Sequence, residues 1–190
     1  MNQFTRKLPR SLECPIDNGI LDLVDFVNPY FYTLGFTPNG LTFVSAVFGI
    51  TCAIHCYYHL YVYASIFHFI GYFFDCADGN FARRYNMVSK FGDLFDHIKD
   101  VLVGGLCVGV MMYNNNVLYY YYILFGILLF FNNLYLGEQE NYFQGQKSDF
   151  LKVFTIRKCR FSLKFLRFFG CGAINTYISC ILLLLHFKLI

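Results

Sequence analysis

Residues 117–136 read VLYYYYILFGILLFFNNLYL, 20 positions without one charged side chain. Crossing a hydrocarbon layer roughly 30 Å thick takes about 20 residues at about 1.5 Å each, so a run of this kind can span a bilayer. Lipid offers no partner to backbone N–H and C=O groups, which leaves a helix as the way for a single segment to cross. Four further apolar runs occur, at about residues 41–55, 60–74, 101–113 and 170–187. The first two are joined by CYYHL, short enough to require a tight helical hairpin. With 57% hydrophobic residues, 14% charged residues and a mean hydropathy of +0.45, the chain reads as all-α. The expected fold is a polytopic helical membrane protein of about five to six transmembrane helices plus an N-terminal interfacial helix.

The placement of the 15 Lys and Arg residues gives a topology. Arg6, Lys7 and Arg10 precede the first run, and Arg83, Arg84, Lys90 and Lys99 lie between the second and third. Lys147, Lys152, Arg157, Lys158, Arg160, Lys164 and Arg167 lie between the fourth and fifth, whereas the intervening turns have none. Excess positive charge marks the cytoplasmic side, so the N-terminus and residues 75–100 are expected there, at the endoplasmic reticulum if the host is eukaryotic. The polar N-terminus lacks the apolar core of a cleavable signal peptide. Eight Cys residues are scattered without a CxxC pair, which argues against a disulfide framework or a zinc ribbon.

Residues 1–36 are expected to form a cytoplasmic N-terminus and interfacial helix, and residues 37–190 one membrane domain. Ile20, Leu21, Val24, Val27 and Phe31 share an apolar helical face, with Asp22, Asp25 and Asn28 elsewhere and a predicted end near Pro29. In TPNGLT, Thr37 is placed to cap the first span and Pro38 to occupy its first turn. The basic stretch 139–169 suits a cytoplasmic loop or an amphipathic segment on anionic lipid.

One segment resists this apolar pattern: FDCADGNFARRYNMVSKFGDLFDHIKD, residues 74–100. Asp75 and Asp78 are three apart and Asp96 and Asp100 four apart, so on helices each pair shares a face. Two adjacent helices could thus present four carboxylates to one point at the bilayer edge. A single buried carboxylate costs roughly 2.5 to 3.5 kcal/mol on insertion scales, and four together repel one another. A cation must offset this, and all-oxygen donors suit Mg²⁺ or Mn²⁺. Such ions at a membrane edge usually serve phosphate chemistry. Gly79, Ala82 and Gly92 leave room beside the acids, and Arg83 can take a phosphate in bidentate fashion.

The segment resembles the class I CDP-alcohol phosphatidyltransferases, whose pattern D-x2-D-G-x2-A-R-x8-G-x3-D-x3-D is matched by Asp75, Asp78, Gly79, Ala82, Arg83, Gly92, Asp96 and Asp100. The resemblance implies a membrane enzyme of phospholipid synthesis with two divalent ions. It would transfer a substituted phosphate from a CDP-alcohol to an acceptor hydroxyl and release CMP. It further implies Asp75, Asp78 and Asp96 as metal ligands and Asp100 as ligand or general base. Gly79, Ala82, Arg83 and Gly92 would line the CDP-alcohol site. The implied partners are the CDP-alcohol, an acceptor alcohol or diacylglycerol and the bilayer, with no nucleic acid; a homodimer is compatible. The run GDLFDHIKD is closer to the choline and ethanolamine phosphotransferases, whereas chain length favours the CDP-diacylglycerol branch, and both stay open. The family core normally has six spans against five counted here, so the end of the chain holds either a broken helical pair or one span fewer.

The rival class is a transporter or channel that binds a cation at intramembrane carboxylates without chemistry, which leaves Gly79, Ala82, Arg83 and Gly92 unaccounted for. A prenyltransferase would need longer Asp repeats on two separate helical pairs. His97 is turned about 100° from Asp96 and is expected at the periphery of the cluster. Cys52, His55, Cys56 and His59 have spacing that could hold zinc, but small and amphipathic residues at a span end read first as packing.

Overall fold

A computed structural model describes residues 5–114, 119–143 and 162–187. Its elements are α1 (Pro15–Thr33), α2 (Pro38–Tyr57), α3 (Tyr61–Arg84), α4 (Lys90–Tyr113), α5 (Tyr119–Tyr142), the single turn α6 (Leu163–Leu166), a 3-10 turn (Arg167–Phe169) and α7 (Cys171–His186). Among the described residues there is no strand. The outer surfaces of α2, α4 and α5 carry Phe43, Val47, Ile50, Val101, Leu102, Ile123, Ile127 and Phe130 exposed, an apolar coat that water would not tolerate and lipid would. Helices α2 and α5 and the stretch Leu163–His186 are long and apolar enough to cross a membrane. This is a polytopic helical membrane protein.

Helix α3 is the centre of the assembly, packed against α1, α2 and α7, and α2 also packs against α4. Small residues permit the approach: a Cβ on Gly71 would lie 3.4 Å from the Ser45 carbonyl, and one on Gly49 would lie 2.3 Å from Val103 Cγ1. Thr37 caps α2 by accepting a hydrogen bond from the Gly40 N–H at 3.1 Å, with Pro38 in the first turn as the sequence predicts. His59, at φ 60°, closes the hairpin into α3.

Helices α3 and α4 differ from their predicted spans. The acids do not stand at span ends, because α3 runs on to Arg84 and α4 already begins at Lys90, so both pairs sit within continuous helix. Residues 75–84 contain no proline, so α3 continues through Gly79, and Ser89 starts α4 by accepting from the Gly92 N–H at 3.0 Å. The apolar stretch Leu163–His186 breaks at Gly170, where a Cβ would lie 2.7 Å from Cys14 Cβ. The described residues therefore hold a broken segment there and no sixth span. Residues 144–161, most of the basic stretch, lie outside the described residues.

Two expectations for α1 need correction. The helix passes through Pro29 to Thr33. Proline removes the hydrogen bond to the Asp25 carbonyl one turn back, and Arg84 Nη1 supplies it instead at 2.8 Å. Asn28 is also fully buried rather than set on a polar face. Its amide donates to Asn80 Oδ1 at 2.8 Å, and Asn80 Nδ2 donates to Asp25 Oδ1 at 3.1 Å, which clamps α1 to the C-terminal half of α3. Asn80→Ala would strand two buried or half-buried partners, so unfolding free energy in mixed micelles is expected to fall by about 1–3 kcal/mol.

Candidate active site

Asp75 and Asp78 lie one turn apart on α3, Asp96 and Asp100 one turn apart on α4, and both pairs face the same point beside α2. One carboxylate oxygen each from Asp75, Asp78 and Asp96 falls within 4.8 Å of the others. A second group of that size joins Asp96 to His97 and Asp100, so Asp96 is the shared vertex and Asp100 meets the others through it. Thr42 of α2 donates to Asp78 Oδ2 at 2.6 Å and fixes the deepest of the four acids. His97, expected at the periphery, comes nearer than its rotation from Asp96 suggests and also lies 3.5 Å from Asp93.

The donor set fits a hard divalent cation. Besides three convergent carboxylates, buried Asp96 Oδ1 makes no hydrogen bond and has only the Lys99 ammonium, 3.1 Å away, facing it, the environment of an oxygen suited to a cation. The Cys52, His55, Cys56 and His59 group forms no such cluster among the described residues. Cys52 and Cys56 pack with Ala64, Ile181 and Leu182, and His55 Nδ1 is 2.7 Å from the Thr51 carbonyl, as expected for packing.

Two cavities meet at the acids. The smaller, about 170 Å³, is lined by Lys7, Thr42, Asp78, Gly79, Ala82, Arg83, Gly92 and Asp96. The larger, about 680 Å³, reaches Asp75, Lys99 and Asp100 and is otherwise walled mainly by apolar side chains of α3, α4, α5 and α7. The carboxylates thus partition a polar chamber from an apolar one. Gly79 does not bare the backbone as its size suggests, because the Arg83 guanidinium lies across it, 3.2 Å from where a Cβ would stand. Arg83 is itself held by the Thr5 carbonyl at 3.0 Å.

Sequence reasoning assigned Lys99 only to topology, yet its ammonium enters the acid cluster. It pairs closely with Asp75 and lies 3.1 Å from Asp96 and 2.7 Å from Asp100. Its position three after Asp96 and one before Asp100 was the available signal, since i,i+3 places it on the Asp96 face. Lys7 was likewise read as a topological charge and is found on the smaller cavity, paired with the buried Glu140 of α5.

Beyond the ends of the apolar runs, Asp78, Asp96 and Asp100 are hard to ionise in the metal-free protein. Desolvation first, then the neighbouring carboxylates, push Asp78 and Asp96 upward and Asp100 to about 8. Desolvation acts to lower Lys99, but the four surrounding carboxylates outweigh it and raise the ammonium further. In α1, burial raises Asp17 to about 6. These acids bind protons more tightly folded than unfolded, so between about pH 4 and 8 the folded state holds more protons and stability falls as pH rises. The metal-free protein is therefore expected to melt at a lower temperature at pH 8 than at pH 5. The stabilisation given by added Mn²⁺ should grow over the same range, because the cation takes ionised carboxylates. Differential scanning fluorimetry with and without Mn²⁺ checks both slopes.

An acid nest on two helices with glycine, alanine and arginine beside it is the arrangement that the sequence pattern of residues 75–100 encodes. Residues 36–143 match the CDP-alcohol phosphatidyltransferase family, and the chain belongs to it. It is 36% identical over 70 residues to an archaetidylinositol phosphate synthase of Pyrococcus horikoshii, a match covering 37% of this chain and 37% of that relative. No solved structure matches the chain.

Proposed function

We propose that the protein transfers a substituted phosphate from a CDP-alcohol to an acceptor alcohol, releasing CMP, at the cytoplasmic face of a membrane. The carrying observation is the acid nest standing between the two cavities, with Gly79, Ala82, Arg83 and Gly92 all on the polar one. Under this reading the smaller cavity takes the cytidine and pyrophosphate, with Arg83 and Lys7 facing their charge. The larger cavity admits the lipid portion of donor or acceptor. Asp75, Asp78 and Asp96 hold Mg²⁺ or Mn²⁺, which when bound neutralises pyrophosphate and departing CMP. Asp100, on the larger cavity, accepts the acceptor hydroxyl proton as its oxygen bonds to the β-phosphorus and the bond from that phosphorus to the bridging oxygen breaks.

Two donor branches follow from the sequence, CDP-diacylglycerol and CDP-ethanolamine or CDP-choline, and the relative's name adds an inositol phosphate acceptor to those worth supplying. Purified protein in lipid nanodiscs with Mn²⁺ is given each donor with diacylglycerol, inositol phosphate, glycerol phosphate or serine, and CMP is measured. CMP release dependent on one donor and acceptor pair supports the reading and selects the branch. Absence of CMP with every pair leaves a cation-binding transporter as the better account of the carboxylates.

A further inference from the structure

The motif specifies no residue between its last two aspartates, yet this chain places Lys99 there and buries it, with only 6% of its side chain exposed. Its ammonium contacts Asp75, Asp96 and Asp100, three of the four acids, with Asp96 at 3.1 Å and Asp100 at 2.7 Å. Lysine carries three N–H donors and no acceptor, so its charge can be shared among three carboxylates, and each contact takes up oxygen that an ion would otherwise use. Asp78, deep in the polar cavity, is the acid that Lys99 does not pair with, and one of its oxygens lies within 4.8 Å of one from Asp75 and one from Asp96. That is a seat for one ion. Where Asp96 and Asp100 would jointly receive another, the Lys99 ammonium already stands 3.1 and 2.7 Å from their oxygens, and a second dication would meet its repulsion at close range.

We propose that Lys99 is a built-in cation occupying one of the two cation positions of the acid nest, so that the nucleotide-free protein holds a single divalent ion, on the Asp78 side. The inference rests on the metal-dependent reading given above and refines it. It also accounts for how four acids remain together when no ion is bound, because the nest always contains one positive charge.

The test is a Mn²⁺ titration of the full chain in nanodiscs without nucleotide, with bound ion counted by electron paramagnetic resonance and CMP release assayed in parallel. Wild type is expected to bind one Mn²⁺ per chain with an uncoupled spectrum. Lys99→Met is expected to bind two and show exchange coupling between them, and Lys99→Arg, which keeps the charge, to bind one. Two ions in wild type, or only one in a folded Lys99→Met, overturns the proposal. Should Lys99→Met fail to fold, the wild-type and Lys99→Arg counts decide. Two ions in wild type together with CMP release would remove this inference and leave the enzymatic reading standing. No bound Mn²⁺ in any variant would remove both.

Discussion

Asp96→Ala is expected to lower CMP release by about a thousandfold and to weaken Mn²⁺ binding, measured on the same nanodisc preparation. Asp96 is the acid common to both ligand groups, and its buried Oδ1 lacks a hydrogen bond of proper geometry. Removing it leaves Asp75 and Asp78 on α3 without their partner on α4. Metal stabilisation of transition-state charge is worth several kcal/mol, and at 1.36 kcal/mol per tenfold a thousandfold loss corresponds to about 4 kcal/mol. The fold should survive, since Asp96 is crowded by Asp75, which already raises its proton affinity after desolvation does. Deleting one of four mutually repelling carboxylates leaves Lys99 paired with Asp75 and Asp100. The variant should therefore melt no lower than wild type when metal is absent. Full activity in Asp96→Ala would remove the carboxylates from the chemistry altogether.

The pairing of acids by turn was legible because helical periodicity is local: three- and four-residue spacings put Asp75 with Asp78 and Asp96 with Asp100 whatever the rest of the chain does. Their convergence was legible through the family pattern, which encodes a tertiary contact that spacing alone does not. What escaped the sequence depends on long side chains and on partners far along the chain. Lys99 has a flexible four-carbon stem that can turn toward water or inward, and only packing on α4 decides that it turns to the acids. The passage of α1 through Pro29 depends on Arg84, 59 positions beyond the carbonyl it serves. The burial of Asn28 likewise required knowing that Asn80 would face it across α3. The two cavities arise from five helices at once, and no stretch of sequence describes them.

Asp100→Asn separates the roles of the two acids on α4. Asp100 lines the larger, apolar cavity and is absent from the Asp75, Asp78 and Asp96 group, so an ion held by that group would not require it. Its carboxylate does face the chamber from which a lipid or alcohol hydroxyl would arrive, and Asn cannot accept that hydroxyl's proton. General-base removal costs about 10²–10⁴-fold in rate, and kcat for CMP release should fall within that range. Mn²⁺ affinity should stay within about tenfold of wild type, a difference of 1.4 kcal/mol or less. A ligand role predicts the other pattern, in which affinity and kcat fall together and high Mn²⁺ restores activity. The pH profile distinguishes the two again. A rate limited by ionisation of Asp100, whose proton affinity desolvation raises, should rise with pH in wild type. The residual rate of Asp100→Asn should lose that rise, because the group that titrates is gone.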